Sequence, residues 1–299
     1  MVTSSLLNNE NVVVKSQLGE MQVVEYVKDM SVSLSTSKRE YYAAQMNINR
    51  RQLLINMSGN NGYTLQAGAM QWMSGNIQMS SGVKGVGDFL GKFVASKVTK
   101  ESAVKPEYVG NGQLMLEPTY RHILLTDLSE WGGSVVLDDG LFLACQTGIQ
   151  QKVVARSNVS SAVFGGEGLF NLSLNGSGIV ALESIVPKEE LFEFELNNDV
   201  LKIDGNMAVA WSGSLEFTVE KSGKSLLGSA VSGEGLVNVY RGTGKVWMAP
   251  VLGHGSAGVT NAAENASAGN TGSAAGKEDT VAKEGGTLGK IAGVLDFFS

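Results

Sequence analysis

Gly110-Asn111-Gly112-Gln113-Leu114-Met115-Leu116-Glu117-Pro118, Gly176-Ser177-Gly178-Ile179-Val180-Ala181-Leu182-Glu183-Ser184 and Gly242-Thr243-Gly244-Lys245-Val246-Trp247-Met248-Ala249-Pro250 align without gaps at intervals of 66 residues. Each reads as a tight Gly-x-Gly turn running into a strand. Apolar side chains alternate at Leu114/Leu116, Val180/Leu182 and Val246/Met248, the period-2 mark of a strand buried on one face. Upstream, Gly166-Glu167-Gly168-Leu169-Phe170-Asn171 is nearly repeated as Gly233-Glu234-Gly235-Leu236-Val237-Asn238, with a weaker first copy at Lys100-Glu101-Ser102-Ala103-Val104. A glycine turn at Ala67-Gly68, Asp139-Gly140 and Asp204-Gly205 precedes apolar runs ending near Ser74-Gly75, Thr147-Gly148 and Ser212-Gly213. Asp-Gly is a two-residue hairpin signal, because type I′ turns need positive φ.

The order of these landmarks predicts three tandem units of about 66 residues, spanning roughly 50–118, 119–185 and 186–250, with 1–49 packing on them in one β body over 1–250. The first unit carries an insertion. Gly75 to Gly110 is 35 residues, against 28 from Gly148 to Gly176 and 29 from Gly213 to Gly242. The excess falls in 86–98, where Val86, Phe89, Leu90, Phe93 and Val94 oppose Lys92 and Lys97 as on a short amphipathic helix. Before residue 50, Met21–Val27 reads as a strand, and the polar-aromatic stretch Ser37–Tyr42 carries no assignable pattern. Residues 251–299 read as a flexible Gly/Ala/Ser-rich tail. It ends in an apolar segment with Leu288, Ile291, Leu295 and Phe298 at helical spacing.

Composition agrees with many short strands: 38 Gly stand against 4 Pro, and 43% of residues are hydrophobic. A single cysteine, Cys145, excludes an internal disulfide framework and thiolate metal clusters. The N-terminal sequence shows neither a signal-peptide nor a presequence pattern, and no apolar run is long enough to span a bilayer. The expected location is the cytoplasm. A net charge of −6 argues against generic nucleic-acid binding.

The glycine-strand motifs, with Gln66-Ala67-Gly68-Ala69-Met70 and Trp211-Ser212-Gly213-Ser214-Leu215, resemble the altered-inheritance-of-mitochondria protein 24 family over about 20–250. The resemblance implies β-sandwich-like units similar to the tryptophan RNA-binding attenuation protein. It implies no catalytic chemistry, because the shared motifs are structural. Fungal members are associated with mitochondrial inner-membrane organisation; the N-terminus here matches a bacterial-type member.

No constellation for catalysis stands out, and no cofactor or metal is expected. The glycine pieces lack a phosphate-loop ending, and Gly85-Val86-Gly87-Asp88-Phe89-Leu90 lacks the third dinucleotide-fold glycine. His122 and His254 stand alone, without the His/Cys neighbours of a metal site. Cys145 sits in a strand-like apolar run as a buried, inert thiol. Glu101, Glu167 and Glu234 recur in register; on a pseudo-threefold axis they would bind a cation, and otherwise they cap turns or face solvent. Trp72, Trp131, Trp211 and Trp247 read as core or rim packing before stacking platforms.

The expected protein is a non-enzymatic scaffold or interaction protein, mainly β with a pseudo-threefold arrangement. Its C-terminal segment would recruit a protein partner or a membrane surface, and a homo-oligomer is compatible with the pattern. The alternative is a small-ligand- or RNA-binding module. Function is expected where the repeat is broken: before residue 50, at 86–98 and in the tail.

Overall fold

The computed structural model describes residues 4–80, 105–155, 170–205, 207–221 and 236–251. Sixteen strands lie among them. The first six are β1 (Val12–Leu18), β2 (Met21–Tyr26), β3 (Arg51–Ser58), β4 (Tyr63–Leu65), β5 (Met70–Ser80) and β6 (Glu107–Leu116). Next come β7 (His122–Asp127), β8 (Ser134–Leu137), β9 (Phe142–Gln146), β10 (Gln150–Ala155), β11 (Phe170–Asn175) and β12 (Ile179–Ser184). The last are β13 (Phe192–Asp204), β14 (Ala208–Ser212), β15 (Glu216–Lys221) and β16 (Leu236–Met248). One α-helix, α1 (Ser37–Gln45), joins β2 to β3. The stretch without an assignable pattern is thus this helix, and the expected strand at Met21–Val27 is β2.

The strands form two antiparallel sheets. One runs β1-β2-β3-β6-β4-β9-β12-β7 with β5 on β6, and curls into a nearly closed barrel. The other runs β10-β11-β8-β14-β16-β13 with β15 on β16, as a half-barrel. Between them lies a core of Trp131, Val135, Phe142, Cys145, Leu174, Val180 and Trp247. A second core, with Met21, Leu53, Tyr63, Leu65 and Leu114, fills the first sheet.

The 66-residue spacing recurs in the registers of the later strand of each pair, while the earlier strand steps by 72 and then 66 residues. Leu116, Met115 and Leu114 pair with Met70, Trp72 and Met73. Leu182, Ala181 and Val180 pair with Phe142, Ala144 and Cys145. Met248, Trp247 and Val246 pair with Ala208, Ala210 and Trp211. Each ladder skips one residue at the same step, Gln71, Leu143 or Val209, which is a β-bulge.

Two local expectations need correction. Two of the Gly-x-Gly pairs are not turns but lie inside β6 and inside β16; the third, Gly176 to Gly178, does bend the chain into β12 as it passes from the second sheet to the first. Gly112 shows the reason: its φ is +154°, and a Cβ there would stand 1.9 Å from the Ser74 carbonyl oxygen, so the paired β5 backbone approaches where no side chain fits. Nor do the Asp-Gly turns close hairpins. Gly140 has φ +82°, but β8 and β9 before and after it belong to different sheets. A type I′ turn needs positive φ at both central residues, and Asp139 does not adopt it.

The 86–98 segment, Glu101, Glu167, Glu234, His254 and the tail lie outside the described residues. Among those described, no helix is long and apolar enough to cross a membrane.

Candidate functional site

β2 and β3 pair from Met21↔Ile55 to Glu25↔Arg51, so residues 27–50 leave the sheet and return at one end. A buried ion pair closes this neck: Arg51 Nε donates to Glu25 Oε2 at 2.7 Å. The same guanidinium reaches outward, its Nη2 donating to the main-chain oxygen and to Oδ1 of Asn47, both at 2.8 Å. Asn47 has φ +62°, a left-handed conformation that asparagine tolerates, and it ends α1. One arginine therefore ties the helix end to the sheet.

Nothing comparable secures the rest of α1. Its N-cap, Thr36, makes no side-chain capping bond, and none of its nine residues is buried. A helix this short is marginal in water without tertiary packing. Around it, apolar side chains face solvent: Leu34 is 96% and Met46 76% exposed, and Met30, Tyr41, Tyr42 and Ile48 are exposed too. Such clustering of large apolar groups on a surface marks an interaction site. Beneath the helix runs a cleft of about 760 Å³ between the 27–32 loop, α1 and Tyr120.

The floor of the cleft is polar. Tyr120 donates its hydroxyl to Asp29 Oδ2, the Ser31 N–H donates to Oδ1 at 3.1 Å, and Arg50 Nη1 stands 3.4 Å from Oδ1. Burial pulls the Asp29 carboxyl up, but the Tyr120 and Ser31 bonds and the Arg50 charge outweigh it and hold the group below the usual carboxylate range. The bond to Asp29, then burial, raises the Tyr120 hydroxyl. Arg50 lies 4.1 Å over the Tyr26 ring, and its Nε is buried without a hydrogen-bond partner. The cleft thus offers aromatic walls, an apolar rim and one neutralised ion pair. None of this assembles a nucleophile with a base.

The residues singled out from sequence lie elsewhere. Cys145 is buried, and burial pushes its thiol up to about 12, so it is not a thiolate at neutral pH. His122 is half-buried at the start of β7; burial and the nearby Arg51 lower its pKa. Trp131 and Trp247 are buried edge to face, ring centres 4.7 Å apart, and Trp211 packs on Phe217 and Tyr240. Trp72 is half-buried, packed against the cluster of Val12, Val24, Leu54 and Met115. None is a free stacking platform. Among the described residues no group of His, Cys, Asp and Glu is placed to hold a metal ion. The cleft itself went unassigned in the sequence, although its apolar lining residues Met30, Val32, Tyr41, Tyr42 and Ile48 are interspersed among polar ones.

The family model described as mitochondrial biogenesis AIM24 matches residues 42–251. An uncharacterized protein of Streptococcus pyogenes serotype M6 is 31% identical over 192 residues, covering 62% of this chain and 75% of that protein. A crystal structure of a Streptococcus pyogenes protein compares with a TM-score of 0.50 at 26% identity, covering 69% of this chain and 90% of that one. The family match opens inside α1, so Arg50 and Tyr120 fall within it while Asp29, Met30 and the first half of the helix precede it.

Proposed function

This chain belongs to the mitochondrial biogenesis AIM24 family, as a bacterial-type member, and we propose that it is a non-enzymatic, cytoplasmic scaffold that docks a protein partner on the α1 face. The observation that carries this is a helix with no buried residue, rimmed by exposed Leu34, Tyr41 and Met46. Covering each such side chain contributes roughly 1.5–3 kcal/mol, so a partner with an apolar surface gains from filling the groove while the Asp29–Arg50 pair fixes its orientation. In this reading the body is three tandem β-sandwich-like units about a pseudo-threefold axis, a reading supported by the recurring bulge and register. It supplies a rigid frame, and the segment Leu288–Phe298 recruits a second partner.

Photo-crosslinking in cells from Met46 and from Leu34 in the full chain tests the docking face. The expected result is one discrete adduct that a Tyr41→Ser/Tyr42→Ser variant loses; adducts no more specific than those from Val153 would refute it. The cleft also favours a second reading, a small amphipathic ligand held between Tyr41, Tyr42 and Tyr120, which saturable ligand-induced stabilisation abolished by Asp29→Asn would reveal. RNA is less well served: Arg50, Arg51, Lys188, Arg241 and Lys245 each lie within 4 Å of a carboxylate.

A further inference from the structure

Two seams join neighbouring copies of the repeat, and they have the same register. At the first, Tyr63, Thr64 and Leu65 of β4 pair with Gln146, Cys145 and Ala144 of β9. At the second, Val135, Val136 and Leu137 of β8 pair with Ser212, Trp211 and Ala210 of β14. From one seam to the next the β9 residues advance by 66 to those of β14, and the β4 residues by 72 to those of β8. Both are closed and dry: Cys145, Ala144, Trp211 and Ala210 are all buried.

The same registers identify the strands of a third seam. Leu201, Lys202 and Ile203 of β13 pair with Tyr240, Val239 and Asn238, as Val135, Val136 and Leu137 pair with Leu174, Ser173 and Leu172. They are therefore the counterparts of β8. Trp72 and Met73 are the counterparts of Ala144 and Cys145, because Met115 and Leu114 face them as Ala181 and Val180 face the other two. These registers would set Lys202 opposite Met73 and Ile203 opposite Trp72. Among the described residues that pairing is not made: β5 is paired to β6 alone and β13 to β16 alone. Met73 is 42% exposed where Cys145 is buried, and Val200, beside the free stretch of β13, is 48% exposed.

Unpaired edges of this length template the addition of another strand. Each chain carries both halves of the missing seam, so two chains can satisfy each other reciprocally and close with twofold symmetry. We infer that the third seam forms between two copies of this chain, the β5 edge of one pairing with the β13 edge of the other. The inference rests on the registers and not on the α1 docking face; it keeps the three units of the proposed function and replaces their closure about a pseudo-threefold axis within one chain by closure between two chains.

Cysteine mixing on the full chain tests it. Met73→Cys and Lys202→Cys proteins, prepared separately, mixed and oxidised, should give a disulfide-linked dimer, and light scattering of the unmodified protein should give twice the chain mass. Met73→Asp should halve that mass while its thermal unfolding stays cooperative. A monomeric mass with a Met73→Cys/Lys202→Cys double variant that cross-links only within its own chain would overturn the dimer and leave the repeat standing. No cross-link in either arrangement would overturn the seam itself.

Discussion

Asp29 and Glu193 are held by the same device in two unlike places. Glu193 accepts from Trp247 Nε1 at 2.5 Å and lies 3.1 and 3.2 Å from the ammonium groups of Lys245 and Lys188. Burial raises its carboxyl, but those three donors prevail and hold it at about 2. Asp29 has a tyrosine hydroxyl, a backbone N–H and an arginine instead. Beneath Glu193 the tryptophan pair fills the core; above Asp29 the space is an open cleft. Where packing is complete, an ion pair staples the rim of the core. Where packing is missing, the same kind of pair becomes the floor of a site.

The largest expected effect lies on the filled side. Trp247→Ala should cost about 3–5 kcal/mol through the cavity it leaves, read as a lowered denaturant midpoint. A loss under about 1 kcal/mol would mean the core collapses around the gap and the contrast is weaker than drawn. Arg51→Ala, at the neck of the open side, strands Glu25 in a buried position and should cost about 3–5 kcal/mol. It should also raise hydrogen exchange across α1; unchanged exchange would show that the helix does not depend on this tie. Glu193 comes next, through pH. Its folded pKa lies below the ordinary value of 4.5, so its contribution is complete above about 4.5 and is lost as pH falls through about 2. Glu193→Gln should therefore be less stable than the unmodified protein near neutrality and converge with it in acid. A difference that stays constant with pH would assign the effect to packing. Smallest is Met46→Ser, expected within about 0.5 kcal/mol in stability while abolishing the photo-crosslinked adduct that Leu34 gives.

The strands at Leu114/Leu116, Val180/Leu182 and Val246/Met248 were legible because their alternation belongs to the chain itself. The role of the glycines beside them was not, since a turn and a close approach of paired backbones ask for the same residue. Only the Ser74 carbonyl facing Gly112 separates the two. The helix at Ser37–Gln45 escaped for a different reason. It has no apolar stripe to read, its apolar residues Tyr41, Tyr42, Ala43 and Ala44 being consecutive, and no side-chain cap marks its start. The cleft could be sought only as a place where the repeat is broken, and the residues before 50 do contain it. What makes it a candidate, the exposed Met30, Tyr41 and Tyr42 lining a cleft with Asp29, is a property of the folded surface.

The seams have one more consequence, in time. β4 is flanked by β6 and β9, and β8 by β11 and β14, so each of these strands is completed by strands that come later in the chain. On the ribosome, β4 keeps a bare edge until Phe142–Gln146 has emerged, and β8 until Ala208–Ser212 has. Synthesis in order matches assembly in order, and a pause within either interval would leave a half-built sheet looking for any strand at hand.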